Sequence, residues 1–346
     1  MSLKLDHKIL STIMLKNLQG IGVCDDSANY LVESIIQTSL RGVDSHGINL
    51  YPHYCQAFRS GRINPNPSIK INQSASSIIL VDADSSIGHH SGSVAMEKAI
   101  EIAKSTGIAA VNVNNSNHFG AAAYFGLKAA EKNCLGFAFT NADALVKVTG
   151  SSEMFFGTNP ICFTAPLKTE EPFCLDLATS LVSYNKIKNY RMADEPIPDG
   201  WGFTKKGEPT KNPHEVVSLN PIGDYKGYGL GMMIDILCAI LGSSVIGKDM
   251  LPMFNTSMKD KRFVSHFFMV IDIEKFLPLD NFKNNLQSMV DRLRQLPKTV
   301  ENQNVMVPGD PEKKTFKIRN QTGIPISKEY FNQFLEENNQ FNKALL

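Results

Sequence analysis

The stretch VNVNNSNHFGAAAYFG, residues 111–126, joins a strand pattern to a helix pattern. Its first half alternates apolar and polar residues, as half-buried strands do, and its second half is small and apolar, as in a tightly packed helix. Between the halves lie five polar residues, Asn114, Asn115, Ser116, Asn117 and His118. Such a junction leaves main-chain N–H groups unpaired and presents side chains at the edge of a sheet. We therefore expect a candidate site where this strand ends.

Strand and helix patterns alternate on both sides of this junction. Strand patterns are SSIILVDAD (76–84), CLGFAFTNA (134–142) and FVSHFFMVIDI (263–273). Helical spacing is found in residues 5–40, with a start at Asp25, Asp26 and Ser27, and again from about Ile48 to Arg59. Residues 185–222 are rich in Pro, Gly and Lys and predict a long excursion over the surface. The alternation predicts an α/β (mixed α+β) fold with a helical N-terminal region.

The composition is that of an ordinary globular protein and excludes several classes of partner. The 346 residues are 42% hydrophobic and carry 35 basic and 34 acidic side chains, so no nucleic-acid or anionic-membrane partner is expected. The six cysteines form no C-x-x-C pair, which predicts buried, reduced thiols in a cytoplasmic protein. The longest apolar run, residues 227–247, contains Asp235 and several glycines and predicts a buried helix rather than a membrane span.

Motifs for the common nucleotide and metal sites are absent from the sequence. No G-x-G-x-x-G follows a strand pattern, no P-loop occurs, and no histidine or cysteine cluster has the spacing of metal ligands. His89 and His90 are adjacent at a helix start, where a capping or surface role is favoured over a metal site. No metal is expected.

A second polar turn, RGVDSHG (41–47), brings a hydroxyl beside an imidazole. Ser45 and His46 can relay a proton, or Asp44 or Ser45 can instead cap a helix and leave His46 exposed. The same two alternatives apply to His118. Its ordinary pKa of about 6.5 suits proton transfer near neutral pH, but it can equally be a packed core residue among asparagines that satisfy the backbone.

Six segments occur in a fixed order: RGVDSHGINLYPHYCQAFRSGRINPNP, NSNHFGAAAYFG, FGTNPICFTAP, LDLATS, DYKGYGLGMMIDIL and SHFFMVIDI. Together they resemble the malate/L-lactate dehydrogenase family of the non-Rossmann kind, which includes ureidoglycolate and sulfolactate dehydrogenases, diketogulonate reductase and piperideine-carboxylate reductase. The resemblance covers about residues 5–330. It implies a non-Rossmann dinucleotide-binding fold and a homodimer with sites near the subunit interface. The corresponding domains are a helical region, residues 1–75, packed with residues 283–346, and a cofactor-binding and catalytic core, residues 76–282.

The resemblance also implies roles for individual residues. His118 is expected to be the acid/base on the substrate oxygen, ahead of His46, while Ser45 and His46 line the reacting centre. Arg41 and His266 are expected near the substrate. The expected cofactor residues are Thr140, Asn141, Thr158, Asn159, Asp176, Ala178, Thr179, Lys226, Gly227, Pro308, Gly309 and Asp310. NAD is the expected cofactor, with NADP possible, because Asp176 can accept a ribose hydroxyl.

Two departures from the family pattern concern the substrate. Leu50 stands where many relatives have an arginine that would clamp a carboxylate, so we expect oxaloacetate to be a poorer substrate than apolar 2-oxoacids, unless Arg41, Arg59 or Arg62 supplies the charge. The segment ADALVKVTGSS (142–152) is also atypical, and Lys147 is either a polar group of the site or a surface residue.

The activity expected is hydride transfer between nicotinamide C4 and C2 of a small 2-hydroxyacid or 2-oxoacid. A cyclic imino-acid reductase and a catalytically silent dinucleotide-binding homologue are the alternatives.

Overall fold

A computed structural model describes residues 2–338, and this part of the chain forms ten α-helices and fourteen strands. The helices are α1 (His7–Gly20), α2 (Asp25–Leu40), α3 (Tyr51–Arg59), α4 (Gly88–Thr106), α5 (Ala122–Glu131), α6 (Tyr184–Ala193), α7 (Tyr225–Asp235), α8 (Leu279–Arg294), α9 (Asp310–Thr322) and α10 (Lys328–Glu337). The strands are β1 (Ser2–Leu5), β2 (Lys70–Ala75), β3 (Ile78–Asp82), β4 (Ile108–Ser116), β5 (Cys134–Thr140), β6 (Val146–Lys147), β7 (Met154–Phe156), β8 (Ile161–Ala165), β9 (Phe173–Leu177), β10 (Gly202–Phe203), β11 (Pro209–Thr210), β12 (Ser218–Leu219), β13 (Val264–Asp272) and β14 (Ile324–Ser327).

The core is a seven-stranded sheet with the order β2-β3-β4-β13-β5-β8-β9. Only β3 and β4 run parallel, joined through α4, and every other neighbouring pair is antiparallel. A Rossmann sheet is mostly parallel, so this mainly antiparallel sheet is not a Rossmann fold. This agrees with the absence of the glycine fingerprint from the sequence. The predicted α/β, non-Rossmann fold class is confirmed.

The helices α4 and α5 cover one face of this sheet. Phe119, Phe125 and Phe268 are fully buried there, in one cluster with Ala95 and Met96 of α4. A phenylalanine buried in this way contributes about 1.5–3 kcal/mol to the free energy of unfolding. This packing fixes the end of β4 relative to the start of α5.

The strand-to-helix junction lies where the sequence predicts it, with β4 ending at Ser116 and α5 beginning at Ala122. Gly120 in the connection has a φ of +77°, and a Cβ atom there would lie 2.5 Å from Nε2 of His89. Only glycine meets both conditions. The chain therefore turns tightly just after His118.

A second core lies among α1, α2 and α3. Asp6 caps α1 by accepting hydrogen bonds from the main chain of Lys8 and Ile9, and the predicted start of α2 at Asp25 is confirmed. The C-terminal elements join this core, because β14 pairs with β1 and Phe334 of α10 packs in the same cluster.

The predicted division at residue 75 stays a prediction. β2 already belongs to the large sheet, and α8 packs through Leu286 and Val290 against Leu167 and Val307 rather than against α1–α3.

Residues 185–222 are more ordered than a surface excursion. They contribute nearly all of α6 and the strands β10, β11 and β12, which join β6 and β7 in a small sheet of order β11-β10-β12-β6-β7. A cluster that includes Ile187, Val216 and Leu219 is buried there. The sequence prediction missed α6 because Ile187 is its one buried residue, so its apolar periodicity is weak.

Two further predictions are corrected by the structure. His89 and His90 are buried rather than at the surface, and His90 bonds to Ser27 through Nδ1 at 2.9 Å. The apolar run 227–247 is buried on one face only. Met232, Ile236 and Ile240 on the other face are 44–58% exposed, because nothing within residues 2–338 covers them.

No helix within residues 2–338 is both long enough and apolar enough to cross a bilayer. The same residues contain no group of three His, Cys, Asp or Glu side chains arranged to hold a metal ion.

Candidate active site

A cavity of about 980 Å³ opens beside the end of β4. Its volume is at the upper end of the range for small-molecule and cofactor sites. It brings together eleven of the predicted residues: Arg41, Ser45, His46, His118, Thr140, Asn141, Thr158, Asp176, Ala178, Pro308 and Gly309. These come from segments more than 250 residues apart along the chain, so the fold assembles a site that no local motif contains.

The imidazoles of His118 and His46 stack in this cavity with ring centroids 5.7 Å apart. Nδ1 of His118 is 2.6 Å from the hydroxyl of Tyr54 on α3, and Nδ1 of His46 is 2.9 Å from Oγ of Ser45. Among the residues described, Nε2 of His118 has no protein partner. The ring is therefore held from one side and open to the cavity on the other.

The turn that carries Ser45 and His46 is not a helix cap. Its residues Asp44–His46 form a short 3₁₀ turn without a side-chain cap. The carboxylate of Asp44 instead pairs with the guanidinium of Arg319 on α9. Nη2 of Arg319 donates to Oδ2 of Asp44 at 2.9 Å. The capping interpretation is wrong for this turn, and the ion pair fixes it to the C-terminal part of the chain.

Electrostatics keep His118 neutral. Burial lowers the pKa of His118 well below its usual value, and His46, His89 and the Arg262 guanidinium lower it further. Burial likewise lowers the pKa of His46 and raises the pKa of the Tyr54 hydroxyl far above its usual range. A neutral imidazole next to a neutral phenol can accept a proton from a bound ligand.

His266 lies behind the cavity rather than in its wall. Its ring stacks on Phe119 with centroids 4.7 Å apart. Its Nδ1 bonds to Oγ1 of Thr140 at 2.8 Å and its Nε2 to Oγ of Ser116 at 2.9 Å. Both ring nitrogens are used, so His266 supports the ends of β4 and β5.

The five other predicted residues that do not line the cavity have identifiable structural contacts. Asn159 accepts from the main chain of Ala142, and Thr179 donates to the carbonyl of Thr158. Asp310 binds Arg294. Lys226 is exposed at the start of α7, and beside it a Cβ atom on Gly227 would lie 1.9 Å from the carbonyl oxygen of Ile222.

The cavity fits an elongated polar molecule such as a dinucleotide. The N-terminus of α5 opens onto it at Ala122, and Asp176 accepts the Ala123 main-chain N–H at 2.8 Å while remaining exposed to the cavity. Gly309, at a φ of +94°, lets the loop around it approach the carbonyl of Cys174 closely. An open carboxylate suits a ribose hydroxyl.

The atypical segment 142–152 contributes to the cavity wall through Ala142, Asp143 and Leu145. Lys147 does not line it. Its ammonium lies 4.0 Å from the ring centroid of Phe203 and donates to the carbonyl of Gly207 at 2.8 Å. Lys147 is thus a contact with the small sheet, which answers the question left open by the sequence.

Sequence reasoning missed several cavity residues, because no local pattern marks them. They are Lys188, Phe254 and Arg262, of which Arg262 is buried and paired with Asp143. Tyr54, buried behind His118 and bonded to it, was missed for the same reason. The loop that carries Phe254 is held by Arg62, which is 1% exposed. Arg62 donates to the carbonyls of Met253, Ser257 and Asp260 and to the Thr256 hydroxyl.

Leu50 lines the cavity as expected, but two of the three arginines considered as substitutes are engaged elsewhere. Arg59 pairs with Glu337 on α10, and Arg62 holds the loop just described. Arg41 does line the cavity, 2.9 Å from a carboxylate oxygen of Glu171.

Comparison with known proteins gives a consistent result over nearly the whole chain. The family model described as malate/L-lactate dehydrogenase matches residues 5–335. A malate dehydrogenase of Pyrococcus abyssi is 38% identical over 94% of this chain and 92% of its own length. An L-sulfolactate dehydrogenase of Methanocaldococcus jannaschii is 31% identical over 94% of this chain and 93% of its own. The crystal structure of malate dehydrogenase from Entamoeba histolytica superposes with a TM-score of 0.93 at 27% identity, covering 98% of both chains.

The fold, the cavity with its paired histidines and these similarities agree with one another. The chain belongs to the malate/L-lactate dehydrogenase family and is a hydroxyacid oxidoreductase.

Proposed function

We propose that this protein is an NAD-dependent dehydrogenase of small 2-hydroxyacids and 2-oxoacids in which His118 moves the proton. The supporting observation is His118 itself, neutral, bonded to Tyr54 through Nδ1 and open to the cavity through Nε2.

In the oxidation direction, Nε2 of His118 accepts the proton of the substrate hydroxyl, and in reduction it returns a proton to the C2 oxygen. For Nε2 to accept this proton, the neutral ring carries its own hydrogen on Nδ1, and the Tyr54 oxygen accepts that N–H in both protonation states. The ring therefore keeps its orientation through the reaction. His46, bonded to Ser45 through Nδ1, stacks on the ring of His118 and supports its position.

The nicotinamide cofactor, when bound, supplies or accepts the hydride. Thr140, Asn141, Thr158, Ala178 and the loop of Pro308 and Gly309 would hold it along the cavity wall. His266 and Thr179 act behind them, through Thr140 and Thr158.

NADH is expected to give a higher kcat/KM than NADPH at matched substrate. Asp176 is an exposed carboxylate of the cavity wall, beside the start of α5. It favours a ribose hydroxyl and repels a 2′-phosphate. Asp176→Asn should narrow the preference, while Asp199→Asn, at an exposed carboxylate paired with Lys211, should leave it unchanged. Preference for NADPH by the native protein would refute this choice of cofactor.

A homodimer is the proposed assembly. Met232, Ile236 and Ile240 repeat every four residues along one exposed face of α7 and its continuation, and such an apolar stripe is typical of an interface. Lys226 and Gly227 begin the same helix, so a second subunit would bring them near a cofactor. Light scattering should give twice the chain mass of 38.2 kDa, and Ile236→Glu should yield monomers.

The proposed location is the cytoplasm. All six cysteines are free thiols, four of them buried, as in proteins of reducing compartments.

Turnover with a panel of substrates tests the function as a whole. Native protein with NADH should reduce 2-oxoacids, and it should do so faster than it reduces cyclic imino acids. Preference for a cyclic imine would indicate an imino-acid reductase. NADH binding without turnover of any panel member would indicate a silent homologue.

A further inference from the structure

Five cationic side chains line the cavity, and four of them already have carboxylate partners. Arg41 pairs with Glu171, Lys128 with Glu97, Arg262 with Asp143 and Lys313 with Glu170. Within residues 2–338, Lys188 has no carboxylate partner. It is half-buried on α6, and its ammonium lies 4.5 Å from the ring centroid of Phe254 and 5.5 Å from that of Tyr184.

Lys188 is placed close to the reacting centre by two routes. One turn before it on the same helix, Nδ2 of Asn185 donates to the carbonyl of Ser45 at 3.5 Å. On the other side, the ring centroid of Phe254 lies 5.1 Å from that of His53, which precedes Tyr54 in α3. Lys188 therefore lines the same cavity as the histidine pair, with the ring of Phe254 beside its ammonium.

An unpaired ammonium in a half-buried position is costly unless a ligand neutralises it. Burial lowers the pKa of Lys188, and the neighbouring Arg191 lowers it further. A bound anion would reverse both effects. The aromatic rings that flank the ammonium orient it by cation–π contact but carry no charge of their own.

We propose that Lys188 binds a second anionic group of the substrate, carried on the chain beyond the reacting carbon. The inference rests on the proposed function, and it replaces the expectation from Leu50 that a second acidic group is disfavoured. Lys188 supplies the positive charge that the missing arginine would have carried. It lies on α6, a helix that the sequence did not predict. The substrate class is accordingly 2-oxoacids and 2-hydroxyacids with a carboxylate or similar anion at the far end.

The test compares pairs of 2-oxoacids of equal chain length, one ending in a carboxylate and one in a methyl group: oxaloacetate with 2-oxobutanoate, and 2-oxoglutarate with 2-oxopentanoate. The native protein should have the higher kcat/KM for the carboxylate-ended member of at least one pair. The preference is the ratio of kcat/KM for the carboxylate-ended substrate to kcat/KM for its methyl-ended partner. Lys188→Met should lower this ratio by about one to two decades, by raising KM for the anionic substrate, and should leave kcat for the apolar substrate unchanged. Lys188→Arg should retain most of the preference, and Lys188→Gln should behave like the methionine variant.

Lys186→Met is the matched control. Lys186 is on the same helix and also carries one positive charge, but its ammonium lies over Trp201, 4.7 Å from the ring centroid, and does not line the cavity. Circular dichroism and thermal melting check that all variants fold. An unchanged ratio in Lys188→Met, or equal losses on both members of a pair, would overturn the inference and leave the proposed function standing. Failure of the native protein on every 2-oxoacid would overturn both.

Discussion

His118→Ala is expected to lower kcat by about 10²–10⁴, the usual contribution of general acid–base catalysis, with little change in the affinity for NADH. The side chain removed has its open nitrogen toward the cavity, and its shortest polar contact is with the Tyr54 hydroxyl at 2.6 Å. Stopped-flow or steady-state rates, together with NADH fluorescence titration, measure the two quantities separately.

Two companion variants assign the roles within the histidine pair. Tyr54→Phe keeps the ring against His118 but removes the hydroxyl, so its loss should be smaller than that of His118→Ala. If His46→Ala loses the full amount and His118→Ala does not, the proton donor is His46, and His118 leaves the mechanism.

Acid should destabilise this protein well above the pH at which ordinary carboxylates titrate. Burial lowers the pKa of both His89 and His266 to about 3, and both side chains are fully buried. In the unfolded chain each imidazole has a pKa of about 6.5. Below pH 6.5 the unfolded state therefore binds protons that the folded state excludes, so the free energy of unfolding falls as the pH falls.

The destabilisation by the buried histidines is larger than the stabilisation by the buried carboxyls. Between pH 7 and pH 5 each of these two histidines removes about 2 kcal/mol, or about 4 kcal/mol together. His53, whose pKa burial lowers to about 4, acts in the same direction. Burial raises the pKa of Asp235 and of Asp176 to about 6, so each carboxyl binds a proton in the folded state and opposes the loss by about 1 kcal/mol. Against a usual total of about 5–15 kcal/mol, the net loss is large.

Urea unfolding at several pH values between 7 and 5 measures this dependence. His266→Gln should reduce the slope of unfolding free energy against pH by close to one proton. His214→Gln, at a histidine whose side chain is 51% exposed, is the control substitution. Stability that is constant or rises toward pH 5 would contradict the prediction.

The local part of this structure could be predicted from the sequence and the long-range part could not. The alternation in residues 111–116 and the small residues after 120 define β4 and α5, so the position of His118 at the strand end follows from neighbouring residues. Tyr54 is 64 residues away. Its contact with His118 depends on how α3 packs against the sheet, which periodicity along one segment does not encode.

The same limit explains the residues whose placement differed. His266 occupies a strand position that points toward α4 and α5, where its ring stacks on Phe119. Its motif places His266 in the strand but does not show on which side of the cavity wall the side chain lies. Lys188 belongs to a helix whose apolar pattern is too weak to recognise. That Lys188 lacks a carboxylate partner can be recognised only from the folded structure, because the acidic groups that could pair with it come from distant segments.

The way in which Arg62 holds the loop that carries Phe254 affects how the substrate range of this enzyme can evolve. Three of its four bonds are accepted by main-chain carbonyls, those of Met253, Ser257 and Asp260. Such acceptors are present whatever side chains the loop has. Met253 and Phe254, which face the cavity, can therefore be exchanged, by natural drift or in a designed library, while the path of the backbone is retained. The loop therefore combines a fixed backbone with exchangeable side chains, so new substrate specificities can arise here while the hydrogen bonds from Arg62 are kept.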